Sequence, residues 1–295
     1  MKKSGFGTGA LLFTMVLILG LGNGSTGADL IASQDFSAAS PPKIQTDIYP
    51  DSMIVCPEVI WAPASGGGVW ESQLSLLNFG GGSDATDVYV IYYPITGPSV
   101  NVKLWTSSEQ YQSVKFDNVL ETIGTLSGDN LYGTVGTLLL WADDDNLITA
   151  VVQTTNGNYG KSFPAVPYAD AYSANQDRYM FIQNIENNSD YRTAVGCWNG
   201  CSGGYEMEVH FAVVNENNVQ IGDIFVKIIP AWGFISFDPF AEAGITQDYD
   251  NCSLVMYVSD SNPAPYEKGM FWYASKVNNN SNDTSALFAM QRNNL

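Results

Sequence analysis

Basic residues are scarce in this 295-residue chain, where 12 Lys and Arg face 30 Asp and Glu for a formal net charge of −18. Nucleic acid is therefore not an expected partner, because phosphate recognition needs clustered Lys and Arg and no such cluster occurs. Anionic lipid surfaces are disfavoured for the same reason. Histidine is scarcer still: His210 is the only one. No site with two histidine ligands can be built within one chain, and any Ser-His-Asp or Cys-His arrangement would have to use this residue. The G-x-S-x-G nucleophile turn is absent, and the cysteines lack the paired C-x-x-C spacing of a structural zinc site. Sustained helical spacing is missing throughout, and no later segment offers a run that could span a membrane.

What the chain does contain begins with Lys2 and Lys3, an uncharged run from Ala10 to Leu21, and the small residues Gly24-Ser25-Thr26-Gly27-Ala28. This pattern predicts an export signal over residues 1–28. The run is shorter than the roughly 20 residues of a spanning helix, so no membrane insertion of the mature chain is expected. No cysteine lies near the cleavage site, which removes the simplest lipid anchor. Residues 29–52, rich in Ser, Ala, Pro and Asp, read as a disordered arm or linker. Removal of the leader takes two lysines and no acids, and the resulting charge of about −20 favours solubility outside the cytoplasm.

The rest of the chain is written twice. Trp70-Glu71-Ser72-Gln73-Leu74-Ser75-Leu76-Leu77-Asn78 reappears as Tyr191-Arg192-Thr193-Ala194-Val195-Gly196-Cys197-Trp198-Asn199, an offset of 121 residues. The same offset carries Val88–Tyr93 onto Val209–Val214 and Ser113–Asp117 onto Phe234–Asp238. A period this long marks a duplicated domain, since solenoid units run to roughly 20 to 50 residues. Short runs rich in Val, Ile, Thr, Tyr and Trp alternate with turn segments such as Gly80-Gly81-Gly82-Ser83 and Asn156-Gly157-Asn158. The expected fold class is all-β, two tandem antiparallel β-sandwich domains of similar topology at 53–166 and 179–295, joined by a proline-containing linker at 167–178. One short helix is expected in each copy, at Val119–Ile123 and Phe240–Gly244, with Asp117 and Asp238 as caps.

Four cysteines in an exported chain favour disulfides. Cys197-Trp198-Asn199-Gly200-Cys201 holds an Asn-Gly turn signal, so a tight hairpin would pair Cys197 with Cys201, leaving Cys56 with Cys252 by elimination. Sequence alone leaves all three connectivities open.

The residues able to carry chemistry each have a plainer role. His210 aligns with Tyr89 in mid-strand, which favours packing over acid–base work. Asp117 and Asp238 are kept in both copies, yet in a context suited to capping. Asp143-Asp144-Asp145-Asn146 offers oxygen ligands for calcium but lacks an EF-hand pattern, so a solvated turn is expected. Most of the tryptophans align with other apolar residues as core positions; Trp61 and Trp232 are the rings expected on loops, and the candidates for ligand binding.

The order W-x-[ST]-x-L-x-L-x-N, a Phe-Asp turn, and Tyr159-Gly160-Lys161-Ser162-Phe163-Pro164-Ala165 resembles an uncharacterised β-rich module repeated in tandem in bacterial exported proteins. Tyr273-Ala274-Ser275-Lys276-Val277-Asn278-Asn279 is similar to its closing strand. The resemblance covers about Met53 to Gln291 and implies fold and export without catalytic residues. The chain departs from it at Tyr191, in place of the first Trp, and in its cysteines. The expected function is a noncatalytic cell-surface, periplasmic or extracellular-matrix structural or interaction module, with a protein or glycan as partner and no cofactor. The alternatives are a carbohydrate-binding protein using loop aromatics and, behind it, a carboxylate-dependent secreted hydrolase.

Overall fold

The structure is a computed structural model that describes residues 53–64, 67–80, 85–143, 147–157, 159–168, 172–173, 178–200, 205–258, 268–281 and 283–293. The expected leader and arm lie outside the described residues. The fold is all-β, with antiparallel strands in several sheets. No described helix is long and apolar enough to cross a membrane.

The first half runs β1 (Ile54–Pro63), β2 (Val69–Gly80), β3 (Thr86–Pro94), β4 (Val100–Ser107), β5 (Ser113–Phe116), α1 (Val119–Ser127), β6 (Thr134–Ala142), β7 (Leu147–Asn156), β8 (Tyr159–Pro164) and β9 (Val166–Pro167). After β10 (Tyr172–Ser173) come β11 (Arg178–Asn187), β12 (Tyr191–Asn199), β13 (Met207–Val214), β14 (Gln220–Ile229) and β15 (Phe234–Phe237). The chain continues with α2 (Pro239–Glu242), β16 (Tyr249–Val258), β17 (Lys268–Asn278), β18 (Thr284–Phe288) and β19 (Met290–Asn293).

The pairings of the first half recur in the second. The order β4-β3-β6-β1-β9 returns as β14-β13-β16-β11-β19, and β5-β2-β7-β8 returns as β15-β12-β17-β18. Registers agree too. Tyr89 lies opposite Trp141 as His210 lies opposite Tyr257, and Val55 opposite Leu139 as Phe181 opposite Val255. One irregularity matches as well: β1 is bulged against β6 between Cys56 and Val59, and β11 against β16 between Gln183 and Ile185. Other features differ, among them the shift of β3 against β4 between Val88 and Tyr89, where β13 shifts against β14 between Phe211 and Val213. The end of β1 pairs with β2, which merges the first half into one nine-stranded sheet, and β10 adds to β17. Val166–Pro167, expected in or beside a linker, instead bridges to Ile54–Val55. Proline is tolerated there because β9 is a two-residue edge.

The repeated W-x-[ST]-x-L-x-L-x-N segment has a physical reading. Ser72 Oγ accepts from the Ile60 N–H (2.9 Å), and Thr193 Oγ1 accepts from the Glu186 N–H (3.0 Å), so each hydroxyl fastens β2 or β12 to the preceding strand. Leu74 and Leu76, like Val195 and Cys197, point into the core by the period-2 alternation of a strand. Asn78 and Asn199 are fully buried; their N–H groups donate to Gln112 O and Gly233 O, and their amides hold the adjoining loops. Each half has its own apolar core, one including Val90, Leu120, Ile123 and Leu138, the other Val209, Phe211, Phe237 and Leu254. Fully burying each such side chain contributes about 1.5–3 kcal/mol.

The helix starts are not equivalent. Asp238 caps α2, accepting from the Phe240 and Ala241 N–H groups (2.9 and 3.2 Å), with Pro239 fixing the first turn. In the first half the helix begins one residue later, so Asn118 rather than Asp117 is the cap and accepts from the Glu121 N–H at 3.1 Å. Asp117 lies beside Lys115 with 88% of its side chain exposed, where an ion pair stabilises little. Asp238→Ala is therefore expected to lower the unfolding free energy by about 1 kcal/mol. Asp117→Ala should stay within about 0.5 kcal/mol of the parent. Urea unfolding of both variants checks the contrast, and equal losses would contradict it.

Candidate functional site

Alternation gives β1, β3 and β6 two apolar faces. One face feeds the first core; the other presents Met53, Val55, Ile91, Tyr93 and Leu139, all buried and belonging to a cluster separate from the first core. They are covered from the second half by Trp198, Trp232, Phe234, Phe271 and Tyr273, forming a third apolar cluster across the molecule. Tyr93 stacks on Trp232 with ring centres 5.7 Å apart, while Trp198 lies 5.9 Å from Trp232 and 5.8 Å from Phe271. Phe163 meets Tyr273 edge-on at 4.9 Å. Such geometry adds about 0.5–1.5 kcal/mol per aromatic pair beyond area burial.

A polar network crosses the same joint. Glu58 sits in the β1 bulge, 8% exposed, with Lys161 Nζ 2.5 Å from its Oε1. Tyr273 Oη donates to Glu58 Oε2, and Lys161 Nζ donates to Ser275 Oγ at 3.1 Å. Burial, and then the Glu58 charge, hold the Tyr273 phenol well above its ordinary pKa. It therefore stays protonated as a donor. This arrangement buries a carboxylate whose oxygens each have a partner, which is the condition for tolerating the charge.

A concave feature lies on the outer face of the second half. A groove of about 660 Å³ is lined by Phe181, Val214, Val255 and Met290 together with Gln183, Asn184, Asn215, Asn218, Asn251, Ser253 and Glu216. Asn184, Asn218 and Asn251 have φ of +64°, +60° and +48°, a region asparagine enters more readily than other side-chain-bearing residues. The groove is thus an apolar floor edged by amides.

The residues singled out from sequence fall as follows. Trp232 is on a turn as expected, at φ +59°, but it is packed between Tyr93 and Trp198 and only 8% exposed. Trp61 belongs to β1 rather than a loop; it is half-buried, with its ring edge-on to Tyr132 at 5.3 Å. Neither ring forms an exposed platform, because each has an aromatic partner within the fold. His210 stacks on Tyr257 at 4.8 Å and approaches Glu208 Oε1 at 3.0 Å, just as Tyr89 stacks on Trp141 at 5.6 Å. Asp143 Oδ1 accepts from the Asp87 N–H at 2.7 Å and so closes the strand pair. Residues 144–146 and 259–262 lie outside the described residues.

The expected Cys56–Cys252 disulfide is corrected. Both thiols are free and buried, Cys56 in the first core and Cys252 in the second, so the two never meet. Cys197 is buried in the second core, and its expected partner Cys201 is outside the described residues. Burial, then the charges of Asp250, Glu216 and Glu186, push the Cys252 thiol up to about 11.

Glu58, Lys161, Tyr273 and the asparagine groove escaped sequence reasoning. Glu58 did leave a signal, being the one charged residue in the run Met53–Pro63. Its pairing with Tyr273, 215 residues away, left none. No family model matches the chain, and no curated protein or solved structure matches it.

Two outcomes follow from this geometry. Lys161→Met strands the Glu58 carboxylate and is expected to cost about 3–5 kcal/mol in urea unfolding, whereas adding Glu58→Gln recovers most of the loss. A double variant no more stable than Lys161→Met would contradict the pairing. Without reductant, Cys56 and Cys252 should react with iodoacetamide only after denaturation, because burial both shields the thiols and raises their pKa. Peptide mapping that recovers Cys56 linked to Cys252 would refute the assignment.

Proposed function

We propose that the chain is an exported, noncatalytic structural and interaction protein of the bacterial surface, periplasm or extracellular matrix, built from two tandem antiparallel β-sandwich domains that are copies of one module. The observation that carries this reading is the recurrence of strand pairing, register and bulge in the two halves. What differs between the copies lies mostly on their outward faces, where binding differences accumulate. The residue types suited to catalysis are engaged in the fold: His210 in a stack, Asp238 in a cap, and Glu58 with Lys161 in the joint. Burial of Trp232 and the placement of Trp61 within β1 weigh against the loop platform of the carbohydrate alternative.

The full chain, expressed in a bacterial host and fractionated, tests the proposal. The expected product is an exported form whose first residue lies near Asp29, without turnover of glycoside, ester or peptide substrates. Retention in the cytoplasm with residues 1–28 intact would refute export. Turnover abolished by His210→Tyr at an unchanged unfolding midpoint would replace this reading with a hydrolase.

A further inference from the structure

We infer that a second copy of this chain docks head to tail, its first half seated in the groove on the outer face of the preceding copy's second half. The inference rests on reading the chain as two copies of one module. Within one molecule, the outer face of β3-β6-β1 is covered by the outer face of β12-β15-β17. Both halves contain both faces, so one of each is left over: β13-β16-β11 in the second half and β2-β5-β7 in the first.

Register identifies the leftover faces residue by residue. Val55, Leu139 and Val166, at the internal joint, correspond to Phe181, Val255 and Met290. All three of these line the 660 Å³ groove, as does Val214 at the position of Tyr93. The groove therefore occupies the position that the second half fills in the internal joint. On the opposite leftover face, Tyr111 corresponds to Trp232 and Val151 to Tyr273. Tyr111 and Trp232 share an unusual backbone, φ +61° and +59°, yet Tyr111 is 65% exposed and Trp232 is buried.

Some of the exchanges are complementary in size, although Leu77, Ser113 and Thr149 stand where the joint has Trp198, Phe234 and Phe271. Ala212 and Val214 stand where Ile91 and Tyr93 fill the internal joint, which hollows the groove. Phe79 and Leu147, 46% and 58% exposed, stand where the second half has Gly200 and Gly269, so side chains project from the face that would enter it. Gly200 is obligatory in its own setting, because a Cβ there would lie 2.1 Å from the Trp198 ring. The buried Glu58–Tyr273 contact becomes Asn184 facing Val151, which removes that charge from the contact, while Glu216 lines the groove where Ile95 packs in the internal joint. At the margin Val226, 45% exposed, lies opposite His210 where Lys103 lies opposite Tyr89. At this one position the uncovered face is more apolar than its covered counterpart. Because the two mating faces differ, the contact is heterologous and propagates into a chain or a closed ring. The net charge of −18 opposes it at low salt.

Sedimentation velocity of the chain purified from the exported fraction tests this. The sedimentation coefficient is expected to rise with protein concentration, and more steeply at ~500 mM than at ~50 mM salt. Val151→Glu and Met290→Glu, at opposite ends, should each weaken self-association by about tenfold or more, and their mixture should form heterodimers only. Leu126→Glu, at the exposed end of α1, adds the same charge and should assemble as the parent does. Unchanged circular dichroism and unfolding midpoints show that the variants are folded. Either end variant assembling like the parent, a mixture without heterodimers, or a monomeric parent that binds a neutral oligosaccharide in the groove overturns the inference. Ring-to-ring nuclear Overhauser contacts in the same samples separate the two levels. A monomer with both Tyr89–Trp141 and His210–Tyr257 contacts refutes the docking alone, and a monomer lacking one of them refutes the two-copy reading as well.

Discussion

A β-sheet has two faces, and the first half of this protein fills only one of them from its own sequence. The other face, carrying Ile91, Tyr93, Leu139 and Val55, is apolar and would be costly in water. It is buried by Trp198, Trp232, Phe234, Phe271 and Tyr273 from the second half. The polar crossing at Glu58 depends on the same contact, since Tyr273 and Ser275 complete a network that β1 and β8 begin. The two halves are consequently one packed body as well as two similar ones.

The recurrence of strand order and register in the two halves was legible because it rests on local rules. Period-2 alternation, turn residues and the W-x-[ST]-x-L-x-L-x-N order fix which face of each strand is inward, and the structure assigns a specific hydrogen bond to each polar residue of that order. The helix caps were legible to within one residue: Asp238 caps, while Asn118 displaces Asp117 because α1 starts later. What alternation does not reveal is what covers an outward face. Trp232 read as an exposed loop ring because its turn was visible in sequence and its neighbours Tyr93 and Trp198 were not. Cys56 and Cys252 were paired by counting, and counting carries no information on which core each enters. The asparagine groove was invisible for the same reason, its lining being drawn from β11, β13, β16 and β19.

Sequence differences between matched positions of the two halves follow from this division of surfaces. Inward positions exchange one apolar residue for another, as with Leu76 and Cys197 or Leu138 and Leu254. Several outward positions change size or polarity: Tyr93 against Val214, Phe79 against Gly200, Glu58 against Asn184. Packing holds the first group fixed, and the second group decides what each face meets.

The central claim is that the aromatic joint makes the halves a single cooperative unit, and scanning calorimetry of the parent chain tests it most directly. The account predicts one transition whose calorimetric enthalpy equals its van't Hoff enthalpy. Two resolved transitions, each insensitive to Phe271→Ala in the joint, would contradict it.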